Sequence, residues 1–565
     1  MDELEKQLWI ACSKGNVEEV KQLRKNRVLN FNSHARDEWR RTPFFIACQE
    51  GQIEIVKLLL KDKRVDVNKS DNVGKFDAVK VMLKNEGFHV NDTDDGRTPF
   101  YITCQFGHTE IVKLLLNDER IDIKKVGGTS VQTPFHVACE NGHIEIVKLL
   151  LNDQRVDVNY QNERKETPFY LACREQRIEI MKLLLSDKRI NVNKAKDNDY
   201  TPFWVACEKG FVEVVKLLLK NKRVDITIPD DEYQTPFSIA CDKGNIEVVK
   251  MLLNDKRVDV NKADIEGRTP FYFTCFYGNI EVVKILLNDK RVEINQANNI
   301  EGTPFYIACQ ERHIEIVKLL LNDERVDISK PNKYDTTPFW LVCQRGYIEI
   351  VELLVNDRRI DVNKANMNGA TPFYLACYFK YKEMVKLLLK NERVDVNKSN
   401  KDGWTPFFYA CLQEHIEIVK ILLNNKRVDV NKPSNEGWTP FFMVCSHRYK
   451  IVNILLNDER IDINKTDEDG QTPLSHICQY GYIEIIELLF ASRREVNLNV
   501  KDNLKGLTAI DVARKIKEER KDWESEENYQ EKKGHFQEII ELIESYERNP
   551  TETIINLRKQ LKLAG

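Results

Sequence analysis

The sequence lacks the features that mark membrane-spanning proteins, nucleic-acid-binding proteins and most enzymes. No apolar run approaches the ~20 residues that a transmembrane helix needs. Basic and acidic residues nearly balance, at 86 against 89, so no electrostatic attraction to nucleic acid or anionic lipid is expected. The chain contains no Gly-rich phosphate loop, no nucleophile elbow, no His-Glu-x-x-His and no Cys-x-x-Cys. We therefore expect no cofactor, no metal site and no catalysis.

The N-terminal segment Met-Asp-Glu-Leu-Glu-Lys is acidic and lacks the basic and apolar regions of a signal peptide. At 42% hydrophobic and 31% charged residues, the composition is that of a folded chain. We therefore expect a monomer without membrane insertion, located in the cytoplasm, with the nucleus left open.

An internal repeat dominates the sequence. Thr-Pro recurs throughout, and from Thr133 to Thr439 every step between successive copies is 34 residues. Degenerate copies lie at Leu8–Cys12 and Leu507–Ala513. Counting these, about sixteen repeats cover nearly the whole chain, so a count of globular domains from length does not apply.

Each repeat is predicted to form two short helices and a polar turn. Thr is an N-cap and Pro is the first helical residue, where its missing N–H costs nothing. Phe44, Ala47 and Cys48 then form one apolar stripe. A second helix begins near Ile53 and is apolar around more than half of its circumference, so stacked neighbours must cover both of its flanks.

These motifs resemble the ankyrin repeat family. Gly96-Arg-Thr-Pro-Phe-Tyr-Ile-Thr-Cys, Gly107-His-Thr-Glu-Ile-Val-Lys-Leu-Leu-Leu and Ile121-Asp-Ile match its signature closely. The resemblance implies an all-α solenoid of helix-turn-helix units with short β-hairpin tips, curved so that tips and first helices lie on the concave side. The chain departs from the family in its 34-residue period and in an aromatic residue where the family has a histidine that braces adjacent units. Tyr101 and its equivalents are therefore expected to brace as well.

The repeats and their interruptions predict the domain organisation. From Thr42 to Thr98 is 56 residues, and the segment between them has no Thr-Pro-Phe helix, which indicates either a deletion or a hinge. The predicted segments are 1–37, an N-terminal capping repeat; 38–69, repeat 2; 70–91, a truncated repeat lacking its first helix; 92–505, repeats 4–15; 506–548, a divergent C-terminal repeat with a charged insertion; and 549–565, an amphipathic helix.

Two sets of turn residues are interpreted as structural. Four histidines fill the family's Gly-His position: His108, His143, His313 and His415. The glycine that ends the first helix is replaced in five repeats by Gln176, Arg312, Lys380, Glu414 and Arg448. Where such a position needs a left-handed backbone, each replacement costs ~1 kcal/mol, so these repeats are expected to be less stable.

Recognition of a partner is the remaining function class, and the resemblance places it at the tips and at the ends of the first helices. Most residues there are polar, so large apolar residues at these positions are candidate contacts, although packing on neighbouring tips is an equal alternative. The predicted partner-binding residues are Phe276, Tyr277, Tyr378, Phe379, Trp404, Leu412, Trp438 and Tyr480. They predict an apolar patch over repeats 12–15 with a satellite at Phe276 and Tyr277.

Three functions remain open from the sequence. The first is a non-catalytic scaffold that binds other proteins along the concave face. The second is a substrate-recognition adaptor of an enzyme complex, such as a ubiquitin ligase, docking through the C-terminal segment. The third is a metal or thiol-redox protein built on the fourteen cysteines.

The cysteines argue against the third function. Each lies six residues after the Thr, or at the equivalent place in the first repeat. Stacked helices ~9–10 Å apart would hold neighbouring Cys Cα atoms beyond the ~7 Å limit for a disulfide. Cys also stands where the family packs Ala, so buried, reduced thiols are predicted.

Overall fold

A computed structural model describes residues 3–33, 41–70, 96–128, 130–446, 448–519 and 526–563. The chain divides into two compact units, Met1–Glu293 and Ile294–Gly565. Both consist of helix pairs joined by turns, and among the described residues the one β-type pairing is a bridge between Gly127 and Gln132. No helix in the described ranges is long and apolar enough to cross a membrane.

The first unit contains sixteen α-helices in its described residues, and a single 3₁₀ turn at Asp197–Asp199. The helices are α1 Glu3–Lys14, α2 Val17–Leu23, α3 Pro43–Gln49, α4 Ile53–Leu60, α5 Pro99–Phe106, α6 Thr109–Leu116, α7 Pro134–Asn141, α8 Ile144–Asn152, α9 Pro168–Arg174, α10 Ile178–Ser186, α11 Pro202–Lys209, α12 Val212–Leu219, α13 Pro236–Asp242, α14 Ile246–Leu253, α15 Pro270–Tyr277 and α16 Ile280–Leu287.

The second unit contains fifteen α-helices in its described residues. They are α17 Pro304–Gln310, α18 Ile314–Leu321, α19 Pro338–Arg345, α20 Ile348–Leu354, α21 Pro372–Tyr378, α22 Lys382–Lys390, α23 Pro406–Leu412, α24 Ile416–Leu423, α25 Pro440–Val444, α26 Tyr449–Leu456, α27 Pro473–Tyr480, α28 Ile483–Ala491, α29 Ala509–Glu518, α30 Glu526–Arg548 and α31 Pro550–Gln560. The all-helical repeat fold predicted from the sequence is confirmed.

Local sequence explains where each first helix begins. Thr405 has an extended backbone, and its Oγ1 accepts a hydrogen bond from the Phe408 N–H at 3.0 Å. Pro406 follows at the first helical position, and the same cap recurs at every described Thr-Pro that opens a helix. Because an N-cap contributes about 1 kcal/mol, this repeated cap fixes the start of helices that are too short to be stable alone.

The turn between the two helices of a repeat is left-handed with or without glycine. Gln176, Arg312, Lys380 and Glu414 all have positive φ, between 53° and 63°, which bears out the predicted left-handed backbone. Arg448 does not: its φ is −105°, and it is the N-cap residue of α26. The reason is a missing residue, since Thr439 to Thr472 is 33 residues rather than 34, and this shortens α25 and moves Arg448 to the place that His415 holds in the preceding repeat.

A carboxamide from one repeat clasps the backbone of the next. The Asn397 Nδ2 donates to the Arg427 carbonyl at 2.7 Å, and its Oδ1 accepts from the Asp429 N–H at 2.8 Å. We call this pair of bonds a rung. Ten rungs are present in the described residues, made by Asn32, Asn68, Asn159, Asn193, Asn261, Asn295, Asn363, Asn397, Asn431 and Asn464.

An arginine–aspartate pair explains the 34-residue period. In the loop after α14, Asp255 binds Arg257 at 2.7 Å, and the Arg257 guanidinium also donates to the Leu219 carbonyl at the end of α12. Leu219 belongs to the preceding repeat, so its otherwise unpaired C-terminal carbonyl is satisfied by a neighbour. In the same way, Arg120 donates to the Leu60 carbonyl, and Arg291 donates to the Leu253 carbonyl. The longer loop thus supplies a second clasp between repeats.

Side chains at the two helix starts add further braces. The Trp204 Nε1 donates to the Gln234 carbonyl at 3.0 Å, and the Trp340 Nε1 donates to the Ala370 carbonyl at 2.8 Å. The predicted bracing by aromatic residues is therefore confirmed at these positions. The turn histidines are structural too, because His143 Nε2 lies 2.9 Å from the Gln105 carbonyl of the preceding repeat.

Repeat 2 packs directly on the repeat that begins at Thr98. Helix α3 contacts α5, α4 contacts α6, and Asn68 forms its rung with the Arg120 carbonyl and the Asp122 N–H. The His108 Nε2 lies 2.6 Å from the Gln49 carbonyl, the contact that His143 makes with Gln105 one repeat later. The predicted truncated repeat at 70–91 lies, apart from its first residue, outside the described residues. Its flanking repeats stack as immediate neighbours.

The C-terminal helices close the second unit. Helix α31 packs on α28, with Leu557 buried and the Arg558 Nη1 donating to the Ala491 carbonyl at 3.0 Å. The Tyr546 ring stacks on Phe490 at 4.0 Å between centroids. Asn549 is the N-cap of α31, and its side chain accepts a hydrogen bond from the Glu552 N–H. The apolar face of α31 is therefore used mainly inside the molecule.

All fourteen cysteines are buried and free. Burial raises the pKa of thirteen of these thiols above the ordinary value. A raised pKa removes the thiolate that redox and metal chemistry require, so the prediction of buried thiols is confirmed and the cysteines are packing residues.

Loss of one rung should loosen the junction between two repeats. Asn397→Ala removes two hydrogen bonds, each worth roughly 0.5–1.5 kcal/mol, so we expect unfolding to cost about 1–2 kcal/mol less and the Asp429 N–H to exchange faster. Ser329→Ala is the matched control, because Ser329 occupies the same place without forming a rung. Urea denaturation and hydrogen exchange measure both, and equal effects of the two variants would contradict the role of the rung.

Removal of residues 72–93 should leave the stack intact. The deletion restores a 34-residue step and joins Asp71 to Asp94, which reproduces the pattern Asn-Lys-x-Asp-x-x-Gly-x-Thr of Asn464–Thr472. Because repeats 2 and 4 already stack, the thermal midpoint should change by less than about 2 °C. Deletion of 68–93 is the control: it also removes Asn68 and its rung, and it should lower the midpoint. A large loss of helical circular dichroism in the first variant would show that the segment contributes to the stack.

Candidate functional site

Two positions in each repeat meet on one face of the first helix. They are the residue before Thr and the residue after Cys, eight positions apart. Gln132 donates to Glu140 at 2.9 Å, and Arg174 binds Glu166 at 2.6 Å. The residue type at both positions varies from repeat to repeat, so each repeat carries a different pair of side chains there.

The first unit carries mostly polar pairs on this face. Arg174 binds Glu140 of the preceding repeat and Glu166 of its own, both at 2.6 Å. Asp242 accepts from Gln234 and pairs with Lys243 at 3.5 Å, and burial raises the pKa of its carboxyl group. These charges are satisfied by their neighbours.

The second unit carries an aromatic cluster at the same face. The Tyr378 ring stacks on Tyr409 of the next repeat at 4.7 Å between centroids and meets Phe379 edge-on at 4.9 Å. Tyr374 lies 5.5 Å from Tyr409. Burial raises the pKa of Tyr409 to about 12, so its phenol stays neutral at physiological pH. Tyr374, Tyr378, Phe379 and Tyr409 are called the aromatic cluster below.

The cluster borders an open groove of about 510 Å³. Its apolar lining is Trp340, Tyr374, Leu375, Tyr378 and Phe379. The tips of two successive repeats supply its polar lining, namely Asn366, Asn368, Asn400, Lys401 and Asp402, together with Gln344. Tyr378 is 41% exposed and Phe379 is 39% exposed, so the two rings offer apolar surface that no neighbouring repeat covers.

The structure separates the predicted site residues into three groups. Tyr378 and Phe379 come together at the groove. Trp404, Leu412 and Trp438 are half-buried, and Trp404 stacks on Phe408. Tyr480, at 56% exposed, contacts His476.

The predicted satellite lies in the first unit. Phe276 is half-buried and meets Tyr277 edge-on at 4.7 Å, and Tyr277 is exposed under the Lys243 ammonium. Phe106 holds the same register position as Tyr277 and is 53% exposed. The sequence reasoning missed it, although the rule that found Tyr277, an aromatic two residues after Cys, identifies it equally.

Two other sets of residues were also missed. Tyr409 stands where most repeats carry an aliphatic residue, and this aromatic at an aliphatic position was the available signal. Exposed apolar residues also occupy consecutive tips of the second unit, at Ile300, Tyr334 and Met367. Their signal was a large apolar side chain in a polar turn.

Several tips are closed by one side-chain oxygen. The Asn366 Oδ1 accepts from the backbone N–H groups of Asn368 and Ala370, both at 3.0 Å. Asp230 does the same in the first unit, accepting from Glu232 and Gln234 at 3.1 and 2.7 Å. Burial raises the pKa of the Asp230 carboxyl group to about 6. The Asp230 carboxylate therefore accepts the same pair of hydrogen bonds as the neutral amide of Asn366, but burial of its charge lowers the stability of the fold.

Comparison with known proteins identifies the family. A family model described as ankyrin repeats (3 copies) matches residues 3–71, 69–162, 154–230, 223–298, 305–400, 360–433, 375–467 and 426–502. The chain belongs to the ankyrin repeat family. Ankyrin repeats are in general modules for protein–protein interaction, and proteins built from them are generally non-catalytic. The search of curated proteins found no match.

Asp230→Asn should stabilise the protein at neutral pH. The folded-state pKa of Asp230 lies above the ~3.9 of an unfolded Asp. The contribution of Asp230 to the stability of the wild-type protein is therefore full below pH ~4 and is lost as pH rises through about 6. Asn keeps both acceptor bonds without the buried charge, so we expect a gain of about 1–2 kcal/mol at pH 7.5 that vanishes near pH 4.

The control for this prediction is Asp264→Asn. Asp264 closes the equivalent tip of the next repeat, but it pairs with Arg268 at 2.6 Å, so its charge is compensated and the variant should lose stability at pH 7.5. Urea denaturation at a series of pH values measures both variants. A loss of stability in Asp230→Asn at pH 7.5 would contradict the assigned cost of the Asp230 charge.

Proposed function

We propose that this protein is a non-catalytic scaffold that binds a protein partner through the aromatic cluster and the groove beside it. The observation that carries the proposal is the exposure of Tyr378 and Phe379 at a concave, partly polar site. Burial of a ring of about 200 Å² that is 40% exposed would stabilise a complex by roughly 2 kcal/mol. Aromatic residues in such a position are frequent hot spots of protein interfaces.

The groove also supplies the polar groups that a polypeptide needs. The Asn366 Oδ1 is used by its own tip, and Asn366, Lys401 and Asp402 all line the groove. Lys401 and Asp402 carry opposite charges, so the site favours neither an acidic nor a basic partner. Apolar rings at the centre with polar groups at the margin are the arrangement typical of protein interfaces.

The predicted satellite and the tryptophans extend this proposal. By register, Trp404 and Leu412 form the pair that Ala370 and Tyr378 form one repeat earlier. The apolar character of the face thus continues from repeat 12 into repeat 13. Phe276 and Tyr277 are proposed as a second, separate contact in the first unit.

The adaptor alternative receives no support from the C-terminal helix. Leu557 is buried against the rest of the second unit, and Gln560 bonds to Glu487. Only Ile555, at 48% exposed, presents a large apolar side chain outward from α31. The scaffold is therefore the function we propose.

The double variant Tyr378→Lys plus Phe379→Lys tests the proposal. Both side chains are partly exposed, so the substitutions should leave folding largely intact, while two charges in the groove should reduce recovery of the bound partner about tenfold or more. Affinity purification from the native cell, with quantification of co-purified proteins, measures the effect. The control is Tyr233→Lys, an exposed aromatic on a tip of the first unit, which should retain the partner. Equal recovery with all three proteins would contradict the proposal.

A further inference from the structure

Among the described repeats that precede another regular repeat, three lack the rung that clasps the others. In place of Asn they carry Lys124, Thr227 and Ser329. Ten complete rungs show what the next repeat offers at this place: a carbonyl that accepts from the amide Nδ2 at 2.5–2.9 Å and an N–H that donates to the Oδ1 at 2.7–2.9 Å. The described residues thus contain ten rungs and three places where the asparagine of a rung is missing.

At Ser329 the two receiving groups are the Arg359 carbonyl and the Asp361 N–H. Neither has a hydrogen-bond partner among the described residues. The Ser329 side chain is shorter than Asn by one bond, and its hydroxyl donates to the Asp327 carboxylate at 3.0 Å. The Ser329 side chain therefore bonds within its own repeat and leaves the Arg359 carbonyl and the Asp361 N–H without a partner.

A cavity occupies the place of the missing side chain. It measures about 220 Å³, and Ser329, Arg359 and Asp361 line it together with the apolar Ile328, Pro331 and Phe339. A water molecule takes up about 30 Å³ of liquid volume, so the cavity has room for a group larger than one water. A second cavity of about 190 Å³ lies at the broken rung of Lys124, lined by Ile123, Lys124 and Asp157.

The two cations beside the Ser329 cavity are already paired, and the Asp361 carboxylate is the remaining charge there. Arg359 binds Asp357 at 2.7 Å, and Lys364 binds Asp335 at 3.0 Å. The Asp361 carboxylate accepts from the Asn363 N–H at 2.9 Å. The unpaired backbone groups left for a ligand are the Arg359 carbonyl, a neutral acceptor, and the Asp361 N–H, a neutral donor.

We propose that the broken rung at Ser329 is a binding site for a primary carboxamide. The ligand nitrogen donates to the Arg359 carbonyl, and the ligand oxygen accepts from the Asp361 N–H. A carboxylate fits poorly, because its second oxygen would face the carbonyl oxygen without a proton between them. An amine has a donor but no acceptor for the Asp361 N–H. Lys124 and Thr227 mark two further sites of the same kind.

Two sources present this group: a free amide, or the side chain of Gln or Asn on a bound polypeptide. Ligand-observed saturation-transfer NMR on the full chain separates them, with propionamide and the capped residue N-acetyl-glutamine N-methylamide as probes. Propionate and capped glutamate are their isosteric acids. We expect saturation transfer to the amides to exceed that to the acids about threefold or more. Tighter binding of capped glutamine than of propionamide assigns a polypeptide source, and equal binding assigns a free amide.

The variant Lys124→Asn plus Thr227→Asn plus Ser329→Asn completes all three rungs and should reduce the amide signal to that of the acids. Asn363→Ser opens a fourth site and should increase the amide signal. Ser329→Asn alone should raise the urea midpoint, because its new amide occupies the receiving pair. Undiminished amide binding by the triple variant, equal binding of amides and acids, or a Ser329→Asn midpoint no higher than that of the wild type would each overturn the proposal.

Discussion

Hydrogen bonds from the side chains of one repeat to the backbone of the next are the interaction on which this structure depends. Repeats of this kind contact only their neighbours, and each short helix leaves backbone groups unpaired at its ends. Asn397 forms hydrogen bonds with two backbone groups in the loop of the following repeat. Arg257 donates to a helix-terminal carbonyl in the preceding repeat. The apolar core alone would allow neighbouring repeats to slide, whereas these directional bonds fix one register.

The same arrangement explains where function is located. The positions that stack or clasp are nearly constant along the chain, while the side chains before Thr and after Cys vary from repeat to repeat. One repeat places Glu166 and Arg174 there, and another places Ala370 and Tyr378. Recognition therefore comes from variation at a few positions on a constant frame. The broken rung at Ser329 follows the same logic, because a single substitution uncovers a donor and an acceptor that the frame normally occupies.

Much of the fold was predictable because its signals are local. Thr405 and Pro406 define a helix start within four residues, and the periodic placement of Cys predicted buried thiols. The exceptions arise where a residue count changes. Arg448 was assigned to the glycine turn, but one missing residue moves it to the N-cap of the next helix. The candidate site was partly predictable: Tyr378 and Phe379 were identified from their positions, whereas Phe106 and Tyr409 were overlooked.

The sequence by itself determined the repeat, its helix pairs, its caps and its buried cysteines, because each depends on residues within one repeat. The tertiary structure decided which groups meet across repeats. Stacking joins Asn68 to Arg120, 52 positions away, and so makes repeats 2 and 4 immediate neighbours. It also places Tyr409 against Tyr378 and leaves the Arg359 carbonyl unpaired beside Ser329. These contacts depend on how one repeat is seated on the next, which no spacing within a repeat specifies.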